Sequence, residues 1–260
     1  MDLKGKVCIV TGSSSGVGAA TALALARLGA SVLVNYSRSA EAAQAIAQQC
    51  QQAGGEAIVV RGDVASDDDC KALAAAAMAR WGRIDVLVNN AGTTKFAPIA
   101  RLGAVSAEDF HAIYSVNTIG VFQMVRACEA ALRASRGSVV NVSSIAGQDG
   151  LGSSIAYVAS KGALNALTVA LARALGPEVR VNAVLPGFIE TGWLQAGLGA
   201  AYEAAHRAYR NQSALEAVLT ADDVADSILS LLSAGKITGQ LLRVDAGKAL
   251  GRSPGLKPVE

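Results

Sequence analysis

The sequence predicts a doubly wound α/β fold, a three-layer sandwich with helices on both faces of a seven-stranded parallel sheet. Three observations predict it. Short β-branched runs alternate with longer alanine-rich stretches of helical period along almost the whole chain. The first such run ends in a glycine-rich turn, Thr11-Gly12-Ser13-Ser14-Ser15-Gly16-Val17-Gly18, that opens directly into a helical pattern. The 260 residues are 52% hydrophobic and 4% aromatic, which supplies aliphatic material for one large core and a single domain over 1–260.

Taken in order, strands are expected at Val7–Val10, Ser31–Asn35, Ala57–Arg61, Ile84–Val88, Ser138–Val142, Arg180–Val184 and Gln240–Val244. Helices are expected to begin near Gly16, Ser39, Ser66, Ser106, Ile155 and Asp222, several behind a serine or aspartate able to cap the first turn. Asp67-Asp68-Asp69 complements the positive end of a helix dipole. The stretch 192–220 breaks the alternation with one or two extra helices at the carboxyl end of the sheet. That is where ligands bind in such folds, so it is the candidate substrate lid.

Several function classes are disfavoured. The net charge is +2 with both signs interspersed, which gives no footprint for nucleic acid or an anionic membrane and leaves a small molecule as the expected partner. Cys8, Cys50, Cys70 and Cys128 fit neither a disulfide framework nor zinc spacing and read as small buried hydrophobes. With His111 and His206 as the sole histidines, no metal site is expected. The first apolar run is too short for a signal core or a membrane span, so a cytoplasmic location is expected.

The glycine turn has the geometry of a phosphate site. Glycines let the backbone turn tightly and approach a pyrophosphate, while the helix start offers unpaired N–H groups and partial positive charge. Gly12, Ser14, Ser15, Gly16, Val17 and Gly18 are therefore candidate coenzyme contacts. The second strand then ends Asn35-Tyr36-Ser37-Arg38. No carboxylate stands there to take a ribose 2′-hydroxyl, and Ser37 and Arg38 suit a 2′-phosphate, which favours NADP(H) over NAD(H).

Tyr157 and Lys161 lie one turn apart at the start of a helix and so share a face. An adjacent ammonium favours phenolate, which makes a tyrosine of ordinary pKa about 10 a candidate acid/base near neutrality. Asn89-Asn90-Ala91-Gly92, Asn117, Ser143-Ser144 and Pro186-Gly187 accompany the pair, each at or facing a strand end.

In this order, Thr11-Gly12-x3-Gly16-x-Gly18, Asp63-Val64, Asn89 to Gly92, Asn117, Ser144, Tyr157-x3-Lys161 and Pro186-Gly187-x3-Thr191 resemble the short-chain dehydrogenase/reductase superfamily. The similarity runs from Lys6 to Gly247 and includes 3-oxoacyl-carrier-protein reductases and sugar or alcohol dehydrogenases. It implies a Rossmann-like sheet of order 3-2-1-4-5-6-7, a homotetramer paired through the helices of Asn117 and Tyr157, and reversible hydride transfer between nicotinamide and a ketone or secondary alcohol. Tyr157 would be the general acid/base and Ser144 would polarise the same oxygen. Lys161 would bind the nicotinamide ribose and lower the tyrosine pKa, and Asn117 would hold a helix bend. Asp63 and Val64 would face the adenine, Asn90, Ala91 and Gly92 the adenosine ribose and backbone, and Pro186, Gly187, Ile189 and Thr191 the nicotinamide end.

Gln148, Leu151, Phe188 and Trp193, with Ser144 and Tyr157, would form a mostly apolar substrate pocket, although Trp193 could equally be core. Arg133 and Arg136 could contribute a basic patch for an acidic carrier protein beside the entrance, against which Pro177-Glu178 speaks. Two alternatives stay open: an NADP(H)-binding redox sensor, and a dehydratase or epimerase on the same scaffold.

Overall fold

The computed structural model describes residues 2–251, so Met1 and 252–260, the ends of the expected domain span, lie outside the described residues. Seven strands, β1 (Val7–Val10), β2 (Ser31–Tyr36), β3 (Ala57–Arg61), β4 (Val86–Asn89), β5 (Ser138–Val142), β6 (Arg180–Pro186) and β7 (Leu241–Val244), form one sheet of order β3-β2-β1-β4-β5-β6-β7. Every pairing is parallel. The order reverses between β1 and β4, which opens a crevice above their carboxyl ends. The expected strands differ from these only at their ends.

Strand alternation divides the core. Cys8, Val10, Val32, Val34, Val86 and Val88 face α1 (Gly16–Arg27), α2 (Ala40–Gln52) and α10 (Ala221–Ser233). Ile9, Leu33, Leu87, Val139 and Val181 face α3 (Asp67–Trp81), α5 (Gly120–Ser135) and α7 (Ile155–Leu175). Both faces of the central strands are covered, which is why their sequences are continuous apolar runs rather than alternating ones. All four cysteines are free and buried. α7 is long and apolar enough to cross a membrane, but Leu164, Leu171 and Leu175 are buried within the molecule, as in a core helix.

The helix starts follow the capping chemistry. Ser66 caps α3 through Asp69 N, and Ser106 and Thr220 close reciprocal capping boxes on α4 (Ala107–Tyr114) and α10. The long helix expected to carry Asn117 is interrupted by a π turn at Ser115–Ile119, between α4 and α5. Short helices α6 (Ala146–Asp149), α8 (Gly192–Leu198) and α9 (Tyr202–Gln212) complete the chain, α8 and α9 lying in the stretch that breaks the alternation.

At the amino edge of the sheet Asp85 is completely buried. It accepts Val7 N–H at 3.0 Å and two Arg83 N–H bonds at 2.8 and 2.6 Å, and Lys6 stands 3.3 Å away. Burial would push this carboxyl up, but the Arg83 hydrogen bond, the Val7 N–H and Lys6 together hold it below the ordinary value.

Candidate active site

The glycine turn after β1 sits at the crevice. Gly12 and Gly16 have φ of +61° and +55°, the region that favours glycine. A Cβ on Gly12 would lie 2.9 Å from Ala91 Cα, whereas one on Gly16 would meet only Thr191 Cγ2, at 3.8 Å. The turn is thus packed on one side and open toward Thr191 on the other. Ser15 makes no side-chain cap on α1 and the first turn carries no acidic residue, unlike α3, α4 and α10. The first N–H groups of α1 are left for an anion, as a dinucleotide phosphate requires.

The expected coenzyme residues divide into those that line this cradle and those that build it. Ser14, Ser15, Gly16, Ser37, Arg38, Asp63 and Gly92 are exposed or partly so, at carboxyl ends or in the turn. Asn35 is 1% exposed; its Oδ1 accepts Gly12 N–H at 3.0 Å and its Nδ2 donates to Gly62 O at 3.0 Å. Asn90 Nδ2 donates to Thr11 O and Gly12 O, and a Cβ on Gly18 would stand 2.4 Å from that nitrogen. Val17 is core, and Val64 is buried with its carbonyl accepting from Gln123. The side chains of Asn35 and Asn90 hold the turn, and Val17, Gly18 and Val64 are packed in its wall, so what these residues would offer a coenzyme is backbone rather than side chain. Tyr36 packs partly against the core, Pro186 is buried, a Cβ on Gly187 would clash with the Tyr209 hydroxyl, and Ile189 bridges Leu219.

At the reacting end, Ser154 caps α7 through Tyr157 N–H, which fixes the first turn and the face that Tyr157 and Lys161 share. Lys161 is 4% exposed, and its Nζ donates to Val142 O, at the end of β5, at 2.8 Å. Burial pushes its ammonium down to about 8. Tyr157 is held above the ordinary phenol value by burial, which the Ser144 hydroxyl bonding to it only partly offsets. The Lys161 ammonium lies 5.6 Å from the Tyr157 ring centroid and gives its hydrogen bond to the Val142 carbonyl. Asn117, fully buried in the π turn, accepts Thr93 N–H at 2.8 Å and donates to Thr93 O and Ser160 Oγ at 2.9 and 3.0 Å. It joins the segment after β4 to α7.

Residues 6–198 match the short chain dehydrogenase family. The chain belongs to that family. A protein named as ketoacyl reductase 2 of the granaticin polyketide synthase of Streptomyces violaceoruber is 44% identical over 245 residues, covering 94% of this chain and 96% of the relative. A crystal structure described as a short-chain dehydrogenase/reductase from Burkholderia xenovorans superposes with a TM-score of 0.89 at 39% identity, covering 95% and 99% of the two chains. An NADH-dependent reductase of alginate metabolism superposes with a TM-score of 0.83 at 29% identity, covering 95% and 98%. This short-chain dehydrogenase is therefore an oxidoreductase of the ketone and CH–OH couple that works with a nicotinamide coenzyme.

Next to Ser144, Ile145 packs into a small core cluster of the dehydrogenase with Phe188 and Tyr209. Phe188 stands 5.6, 5.8 and 5.7 Å from the rings of Tyr202, His206 and Tyr209. Trp193 is 50% exposed and pairs with Phe96 at 5.5 Å, so it is a surface residue rather than core. A Cβ on Gly197 would stand 2.0 Å from the Phe96 ring, which locks α8 against the segment after β4. Leu151 is exposed, and Gln148 Oε1 accepts from Arg243 at 3.2 Å. Phe96, Tyr202, His206, Tyr209 and Arg243 were not among the residues expected from sequence. Tyr202, His206 and Tyr209 recur at i, i+4 and i+7 in an aromatic-poor chain, a pattern that marks one helix face.

Arg133 and Arg136 close α5 just before β5 begins. That places them at the amino edge, the opposite end of the sheet from Tyr157, because a crossover helix runs antiparallel to its strands. Arg133 is also paired with Glu129 and Glu178 at 2.9 and 2.7 Å. The basic patch considered for the site entrance is not built by these two residues.

Proposed function

We propose that this dehydrogenase uses NADP(H) to interconvert a ketone and a secondary alcohol, with Tyr157 as general acid/base. The observation that carries the reading is the placement of Tyr157, its Ser144 partner and the buried Lys161 together at the carboxyl end of β5 and the first turns of α7. The open α1 start, Gly16 and Thr191 would hold the coenzyme, Ser37 and Arg38 its 2′-phosphate, and Lys161 the nicotinamide ribose. The coenzyme, when bound, supplies or accepts the hydride.

The chain's own residues handle the proton. In reduction the Tyr157 hydroxyl gives its proton to the carbonyl oxygen as the neighbouring carbon takes the hydride, while Ser144 hydrogen-bonds that oxygen and stabilises its developing charge. A phenol that burial holds protonated at neutral pH is prepared to act as the acid in the reductive direction. Residues 192–220, with Phe188 and Trp193 at their base, form the substrate lid.

A panel of ketones, acyl thioesters and sugars, assayed with NADPH and NADH by coenzyme absorbance, tests the reading. Tyr157→Phe should lower turnover by about 10²–10⁴-fold while coenzyme binding stays nearly intact; unchanged turnover would sink the mechanism. Arg38→Ala should weaken NADPH about tenfold more than NADH. Equal losses refute the coenzyme assignment.

A further inference from the structure

Three successive residues of β5 and its carboxyl end are tied to one face of α7. Asn141 Nδ2 donates to Thr168 Oγ1 at 2.9 Å, Val142 O accepts from Lys161 Nζ at 2.8 Å, and Ser143 Oγ donates to Asn165 Oδ1 at 2.7 Å. Lys161, Asn165 and Thr168 recur at i, i+4 and i+7, so a polar stripe faces the sheet where helical periodicity would ordinarily place apolar side chains. Thr168 is a satisfied structural member, since it also donates to Leu164 O at 2.8 Å. Lys161 belongs to the reacting group. Asn165 stands between them without a role in the chemistry.

Its surroundings make it an expensive choice of side chain. Asn165 is 7% exposed, and its Nδ2 has no hydrogen-bond partner among the described residues. A buried donor left unpaired costs free energy that an apolar side chain of similar size would avoid. What the amide provides is the acceptor for Ser143, whose other acceptor, Lys161 O, is more distant at 3.3 Å. Ser143 is the single residue between Val142, whose carbonyl takes the Lys161 ammonium, and Ser144, whose hydroxyl partners Tyr157.

We propose that Asn165 is a positioning residue for hydride transfer: by holding the Ser143 hydroxyl it fixes the short backbone segment that places Ser144 against α7. The inference rests on the reading of Tyr157, Ser144 and Lys161 given above. A clamp of this kind acts on the alignment of reacting groups, where displacements near 1 Å are felt as large changes in rate, and leaves the coenzyme cradle at β1 and α1 untouched.

The test is a double-mutant cycle on the full chain with NADPH and the panel compound that the unmodified enzyme reduces fastest. Asn165→Ala and Ser143→Ala should each lower kcat about tenfold, while substrate KM and the NADPH Kd from fluorescence titration stay within about twofold. The double variant should fall no further than the worse single one, because both remove the same bond. Ser143→Ala deletes one hydroxyl oxygen, so it tests the clamp from the strand side even where Asn165→Ala does not fold. Additive losses, a kcat within twofold in both variants, or a loss carried by KM or Kd would each overturn the clamp. Tyr157→Phe is measured alongside. If it keeps turnover, the mechanism falls and the clamp with it; if it silences the reaction while both clamp variants are neutral, the clamp alone falls.

Discussion

The two edges of the sheet treat a buried charge in opposite ways. At the amino edge Asp85 has no exposed surface and is matched by Arg83, Lys6 and a backbone N–H. At the carboxyl edge Lys161 is nearly as buried but gives its hydrogen bond to one carbonyl and has no carboxylate partner among the described residues. One edge is electrostatically closed and serves the fold. The other leaves a buried ammonium without a counter-charge beside Tyr157, as suits a site that must receive polar reactants.

The contrast can be broken most sharply at Asp85. Asp85→Ala leaves Arg83 and Lys6 facing an apolar hole and strands the Val7 N–H, so it should destabilise the fold by about 3–5 kcal/mol, read by urea unfolding. Turnover per folded molecule should not change. A loss of kcat without loss of stability would contradict the division between the edges.

Lys161 gives the smaller and opposite effect. Its ammonium is pushed from 10.5 to about 8 by burial, so between these values the unfolded chain holds more protons than the folded one. Stability of the coenzyme-free protein should therefore rise with pH through that window, by on the order of 3 kcal/mol at most. Lys161→Met should remove that rise and be more stable than the parent at neutral pH while losing activity. Urea unfolding at pH 7.5 and 10 decides it: a variant with the parent's slope would show that Lys161 is already compensated.

Much of this is legible in the amino-acid sequence alone. Strand positions followed from β-branched runs bounded by glycine turns, and the sheet's doubly wound character from their alternation with helices. Tyr157, Lys161 and Ser144 were legible because each sits at a strand end or a helix start, places that sequence marks well. What sequence could not separate was facing from supporting. Asn35 lies at the carboxyl end of β2 and Gly18 in the first turn of α1, both beside the glycine turn, yet Asn35 points to Gly12 and Gly62 and Gly18 lies against Asn90. The pairing of Phe96 with Trp193 joins segments distant in the chain, and Arg243 reaches Gln148 from the edge strand. Neither contact has a local signature.

The π turn at Ser115–Ile119 has a further effect on α5. Buried positions recur every four residues at Ile113, Asn117, Val121 and Val125, a spacing that would drift about 40° per step around a regular helix of 3.6 residues per turn. The wider turn absorbs that drift, so α5 leaves it with Met124, Cys128 and Leu132 aimed at the sheet and Gly120 close against Val64. The same local unwinding that lets Asn117 reach both Thr93 and Ser160 therefore sets the rotational phase of the helix behind it. In this molecule the bend at the site and the docking of the sheet's second layer are one geometric decision, taken by five residues.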